Sequence, residues 1–305
     1  MQGTDTHTGI RKYISLTRPH TLTAGFIPVL VGTASVLLFS SIRWDMFFAM
    51  LIATLLIQSA TNMFNEYFDF KKGLDSEDSV GIAGAIVRNG MSPRIVMTIA
   101  VIFYALAAVI GIYITVNSSV WVLIAGIISM AVGYLYTGGP FPISWTPFGE
   151  VFAGFFMGTV IIMITFYIHT GILHIFPFLI SIPVAITIGL LNMANNIRDR
   201  KKDKESGRKT FVILVGKPLA VMTTGVLLAF AYLFITWIAI FKPYGSLFML
   251  LTFLSIPQFI KTVKLMWQGD TPQELIPAMA AMGKLNSIFG ILLTLGLVLY
   301  GLTGI

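Results

Sequence analysis

Asn62, Asn65, Asp69, Lys71 and Lys72 recur 130 positions later as Asn192, Asn195, Asp199, Lys201 and Lys202. In each copy two asparagines and an aspartate stand at i, i+3 and i+7, which places them on one helical face if the helix continues through them. Asp203 extends the second copy by a further i, i+4 step from Asp199. Two such faces meeting across a cavity would gather amide oxygens and carboxylates, with no His or Cys. That is a set for a hard cation such as Mg²⁺, which takes one or two carboxylates and completes its shell with water and substrate phosphate. Arg88, Arg198, Lys201, Lys202, Arg208 and Lys209 lie in the same two loops and suit phosphate oxygens. Basic loops also form ordinary solvated ion pairs; the acids in their duplicated pattern are what favour a metal–diphosphate site. Asn62 and Asn192, a turn deeper, fit either polar support for that site or hydrogen bonds between helices.

The elements that must position these cassettes are apolar. The chain has 305 residues, 56% hydrophobic and only 11% charged, with a mean hydropathy of +0.86, where soluble domains carry about a quarter charged residues. A polytopic membrane protein is expected, all-α because the apolar runs are long and unbroken. Nine spans are expected, approximately 23–39, 46–64, 95–116, 120–136, 151–167, 175–194, 219–241, 247–259 and 285–302. The cassettes close the second and sixth, four helices apart, so both face one way. This predicts two parallel four-helix halves plus a ninth helix, in one transmembrane domain over 1–305. The absence of cysteine excludes disulfides and thiolate chemistry.

Charge fixes the expected orientation. Of twenty Lys and Arg, only Arg43 and Lys242 fall in the odd-numbered connections. The positive-inside rule then places the N-terminus, the even loops and the cassettes in the cytoplasm, on the inner membrane face. Arg11, Lys12 and Arg18 precede the first apolar run, which is expected to remain as an uncleaved helix. Of thirteen acids, only Asp45 lies on the odd side, a bias that the rule for Lys and Arg does not explain. The net charge of +7 reads as orientation and contact with anionic lipid, not as a nucleic-acid surface.

The segments Asn65-Glu66-x-x-Asp69 with Asp75, and Asp199-x-x-x-Asp203, resemble the two Asp-rich motifs of the UbiA superfamily of intramembrane prenyltransferases. The chain departs from the usual first motif at Glu66, in place of Asp, and at Gly73, with Asp75 two residues on. Residues 65–75, 86–93 (Ile-Val-Arg-x-Gly-x-Ser-Pro), 136–140 (Tyr-Thr-Gly-Gly-Pro) and 195–199 (Asn-Asn-x-Arg-Asp), with Arg18-Pro19, are similar to the branch that prenylates 1,4-dihydroxy-2-naphthoate for menaquinone. The resemblance implies transfer of a polyprenyl chain from its diphosphate to that acceptor, with loss of CO₂ and diphosphate, giving demethylmenaquinone. It implies Mg²⁺ on Asn65, Asp69, Asp199 and Asp203, with Glu66 and Asp75 provisional. Arg88, Arg198 and Lys209 are then the expected diphosphate partners, and Asn62, Asn192 and Asn195 the deeper polar support. Tyr136 could orient or deprotonate the acceptor, and Tyr67, Phe68 and Tyr136 could shield an allyl cation. The isoprenoid tail requires a groove open to lipid around a cytoplasm-facing cavity.

Other acceptors of the same superfamily are 4-hydroxybenzoate, haem and a glycerol phosphate. An ion-coupled transporter is the rival class, but its ionisable groups would sit near the bilayer midplane; here the helix interiors carry none. Glu150 reads as a polar wall residue or a helix N-terminal acid, and 270–277 as a loop or short surface helix, a candidate lid.

Overall fold

A computed structural model describes residues 10–74, 84–241 and 243–304; Asp75 and Lys242 lie outside them. Among the described residues the chain is helical and has no strand. Its apolar helices are α1 (Thr23–Val36), α2 (Trp44–Lys71), α3 (Pro93–Val116), α4 (Val120–Leu135), α5 (Gly149–Thr170), α6 (Ile175–Glu205), α7 (Lys217–Phe241), α8 (Leu247–Gln268) and α9 (Pro272–Thr303). Seven are long and apolar enough to cross a membrane; α1 and α4, with 14 and 16 residues, are shorter. Each expected span thus meets one helix.

The main differences lie at the helix ends. Both cassettes are helical: α2 runs on to Lys71 and α6 to Glu205. Lys71 closes α2, and Lys202 and Lys204 close α6, where cations complement the negative helix end. Residues 270–277 are not a separate loop or short helix. Thr271 and Glu274 form a capping box, Pro272 fills the first turn, and the segment begins the 32-residue α9.

Exposed Ile102, Val109, Trp121 and Leu233 cover the outer faces of α3, α4 and α7, as lipid contact requires. Inside, α2 packs on α3 as α6 packs on α7, the pairing expected of two equivalent halves, and α9 packs on α1, α6 and α8. Without a hydrophobic drive between helices in lipid, close approach at small residues supplies the attraction. Three glycines bring α5 and α6 together in this way. A Cβ on Gly154 would stand 2.4 Å from the Ala185 carbonyl, on Gly158 2.6 Å from Ala185 Cα, and on Gly189 2.8 Å from the Glu150 carbonyl. This contact fixes the start of α5 against the polar end of α6. Fully buried Ile27, Phe166, Phe176 and Phe289 pack the centre of the bundle.

Candidate active site

The two cassettes meet. Arg208, just beyond α6, donates from Nη2 to Asp69 Oδ1 at 2.8 Å and pairs through Nη1 with Asp203 Oδ1 at 3.1 Å, so one guanidinium bridges α2 and α6. Its plane lies over Trp145, 5.9 Å from the ring centroid. Asp199 is gripped by the neighbouring Arg198, with Nε to Oδ1 at 2.7 Å and Nη2 to Oδ2 at 2.5 Å; Arg198 Nη1 also contacts Met279 Sδ. Among the described residues, Asp203 Oδ2 is buried with no hydrogen-bond partner.

These groups head a cavity of about 1910 Å³. Asn65, Asp69, Arg88, Asn195, Asp199 and Asp203 line its polar end, and Met50, Ala53, Ile57, Ala107, Ile114 and Val122 its apolar remainder. Lining residues on α2 run from Met50 to Asp69. At 1.5 Å per residue that is roughly 28 Å, close to the ~30 Å hydrocarbon thickness.

The first cassette divides into two roles. Asn65 Oδ1 accepts from Thr137 Oγ1 at 2.7 Å, and Asp69 faces the cavity. Glu66 is 3% exposed, and both its oxygens are engaged: Oε2 with Arg18 at 3.0 Å, Oε1 with the N–H groups of Gly84 at 2.9 Å and Ile86 at 3.2 Å. Arg18 adopts a left-handed backbone, φ 51°, a conformation costing on the order of 1–3 kcal/mol that the surrounding contacts must hold. Asn62 Nδ2 donates to the Thr17 carbonyl and to Thr21 Oγ1, both at 3.0 Å. All four residues line the cavity, but Glu66 and Asn62 are tied to neighbouring segments through Arg18, Gly84, Ile86, Thr17 and Thr21, whereas Asp69 meets Arg208 from the second half.

On the opposite wall Asn192 Nδ2 donates to Tyr136 Oη at 2.6 Å, Tyr136 donates to the Gly149 carbonyl at 3.4 Å, and Asn196 Nδ2 donates to Glu150 Oε1 at 2.7 Å. Burial first, and then the Glu150 carboxylate, raise the Tyr136 pKa above that of an ordinary phenol. At neutral pH Tyr136 is a protonated phenol, placed to hydrogen-bond with Asn192 and Gly149. Lys72 donates to the Thr137 carbonyl at 2.8 Å and lies 5.0 Å from the Trp145 ring centroid. Burial lowers its pKa, with Asp69 opposing that shift and Arg208 adding to it.

A family profile matches residues 25–288, and it is that of the UbiA prenyltransferase family. The chain belongs to the UbiA prenyltransferase family. It is 46% identical over 284 residues to the 1,4-dihydroxy-2-naphthoate octaprenyltransferase of Bacillus subtilis, covering 93% of this chain and 91% of that protein. The Mycobacterium tuberculosis protein of the same name is 31% identical over 210 residues, 67% of this chain and 70% of the relative. In fold, the chain is similar to a UbiA homolog from Archaeoglobus fulgidus bound to DMAPP and Mg²⁺, with a TM-score of 0.64 at 15% identity over 94% of this chain and 99% of the other.

Several residues of this UbiA-family site were not singled out by spacing. Lys209 is exposed and off the cavity, and its neighbour Arg208 holds the central place; nothing in a basic run tells which side chain turns inward. Tyr67 and Phe68 do not line the cavity. Phe68 packs on Tyr134, and Phe152 and Phe156 supply aromatic wall instead, their rings stacked at 6.0 Å. Asn196 stands at i+4 from Asn192 and i−3 from Asp199, a pattern that its place on the cassette face could have revealed.

Proposed function

We propose that this chain transfers a polyprenyl group from polyprenyl diphosphate to 1,4-dihydroxy-2-naphthoate, releasing CO₂ and diphosphate. The carrying observation is the convergence of Asp69 and Asp203 on Arg208 at the polar head of a long apolar cavity. Family membership and the Bacillus subtilis relative support the acceptor assignment. No oxidant takes part, so the immediate product is the quinol form of demethylmenaquinone.

The donor set fits Mg²⁺. Among the described residues no three acidic or imidazole side chains close into one cluster. Asp69 and Asp203 nevertheless supply the one or two carboxylates that Mg²⁺ uses, and Asp203 Oδ2 is buried without a partner among the described residues. Asp69, Asp199, Asp203 and Asn65 would hold the ion, which supplies charge neutralisation for the departing diphosphate. Arg208 and Arg198 add fixed positive charge opposite the diphosphate oxygens, and Arg88 lines the same cavity. The apolar remainder takes the isoprenoid tail, and the Phe152 and Phe156 faces exclude water around the allylic carbon. The full chain, 1–305, acts as one catalytic unit. The distribution of Lys and Arg supports a cytoplasmic N-terminus and site in the cell membrane.

The test is product formation by purified protein in nanodiscs, given polyprenyl diphosphate, Mg²⁺ and each of 1,4-dihydroxy-2-naphthoate and 4-hydroxybenzoate. Prenylated naphthoquinol from the first acceptor is expected; product from 4-hydroxybenzoate alone would overturn the assignment.

A further inference from the structure

Two side-chain amides on α6 are held from behind: Asn196 by Glu150 at the start of α5, and Asn192 by Tyr136, just beyond α4, which is itself tied to Gly149 next to Glu150. The Gly149 carbonyl can only accept, so Tyr136 Oη donates to it and receives its own hydrogen bond from Asn192 Nδ2. The Glu150 carboxylate likewise accepts, through Oε1, from Asn196 Nδ2. Both amide orientations are therefore set by hydrogen bonding. The backing is tight: a Cβ on Gly149 would stand 3.3 Å from Tyr136 Oη and 3.7 Å from Asn192 Nδ2. The close approach of Gly189 to the Glu150 backbone holds α5 and α6 together at this level.

With each Nδ2 committed to the wall, each Oδ1 is left with no donor among the described residues, and both side chains line the cavity. Four residues apart, the pair shares one helical face and is separated by about 6 Å along the axis. Asn196 lies three residues below Asp199 and hence beside the reacting end; Asn192 lies deeper. The wall thus presents two fixed hydrogen-bond acceptors, one above the other, and asks for a flat ligand with a donor at each end.

We propose that Asn196 and Asn192 read the two ring hydroxyls of a para-diol acceptor, Asn196 taking the hydroxyl next to the carbon that is prenylated and Asn192 the hydroxyl across the ring. This rests on the transfer reaction above and names the groups that select its acceptor. Para oxygens on one six-membered ring span a distance comparable to one helical turn, and each hydroxyl supplies the single donor that an amide oxygen needs. Glu150 and Tyr136 act as positioning residues, fixing the amides without touching the acceptor.

The experiment compares 1,4-dihydroxy-2-naphthoate with 1-hydroxy-2-naphthoate, which lacks the distal hydroxyl, as acceptors for the full-length protein in nanodiscs. Wild type favours the diol in kcat/KM. Asn192→Leu lowers that preference by about tenfold or more, within the range by which a site built around a hydroxyl rejects its absence, with the KM for polyprenyl diphosphate unchanged. Asn196→Leu weakens both acceptors together. Glu150→Gln, which keeps shape but no longer dictates the Asn196 orientation, raises the acceptor KM and leaves the diphosphate KM alone. A wild type without preference, or an Asn192→Leu or Glu150→Gln enzyme with wild-type selectivity and acceptor KM, overturns the proposal while transfer itself stands. A wild type that prenylates neither naphthoate overturns the reaction assignment and this recognition with it.

Discussion

Replacing Arg208 tests whether one guanidinium joins the two cassettes. Its side chain is 13% exposed, Asp69 22% and Asp203 8%, so both pairs are mostly shielded from water. Breaking a buried ion pair by removing one partner costs about 3–5 kcal/mol, because the other charge is stranded. Water reaching Asp69, and the release of the unpartnered Arg208 Nε from burial, reduce this to about 2–3 kcal/mol for Arg208→Gln. Lysine keeps the charge but has no rigid fork, so Arg208→Lys holds one aspartate and loses the other, with about half that cost. For turnover, loss of a preorganised cation opposite developing charge is worth about 10²–10³-fold. Thermal unfolding in detergent and kcat/KM for transfer measure the two effects. An Arg208→Lys protein matching wild type in both would refute the bridge.

Three further outcomes follow from named contacts. Glu66→Gln keeps an oxygen for the Gly84 and Ile86 N–H groups and should retain transfer within about tenfold, whereas Glu66→Leu strands them together with Arg18 and should lower stability by about 3 kcal/mol; complete loss of transfer in a stably folded Glu66→Gln would instead make Glu66 a ligand. Gly158→Leu has no room against Ala185 and should sharply reduce the yield of folded protein, measured by size-exclusion chromatography in detergent. The raised Tyr136 pKa keeps the phenol protonated through and beyond about pH 10, where free tyrosine titrates. Tyr136→Phe should accordingly leave the shape of the pH–rate profile unchanged between about pH 6 and pH 10; loss of a limb of that profile in the variant would show that Tyr136 ionises during turnover.

The helices were readable because lipid demands long apolar runs, and the pairing of sites because the cassettes repeat at one spacing. Periodicity carried Asn62, Asn65 and Asp69 onto one face, but it could not separate Asn62, which ties down the N-terminal segment, from Asn65, which bonds Thr137 across the cavity rim. Glu66 matched a ligand position in type, yet its neighbours Arg18, Gly84 and Ile86 are distant in sequence and gave no local sign. The choice of Arg208 over Lys209 depends on a turn whose direction is set by the Lys209 N–H bonding to the Trp145 carbonyl at 2.8 Å. The aromatic wall from α5 follows from a helix–helix approach through glycines, a feature that hydropathy does not express. Spacing within one helix was legible; contacts between helices were not.

The central claim is that Asp69 and Asp203, from the two halves, serve one diphosphate site. Mass-spectrometric quantification of prenylated naphthoquinol from nanodisc-embedded wild type, Asp69→Asn and Asp203→Asn, each verified as folded, tests it most directly. Robust Mg²⁺-dependent product from wild type and a loss of at least about 10²-fold in each variant are expected. Wild-type product from either aspartate variant would contradict it.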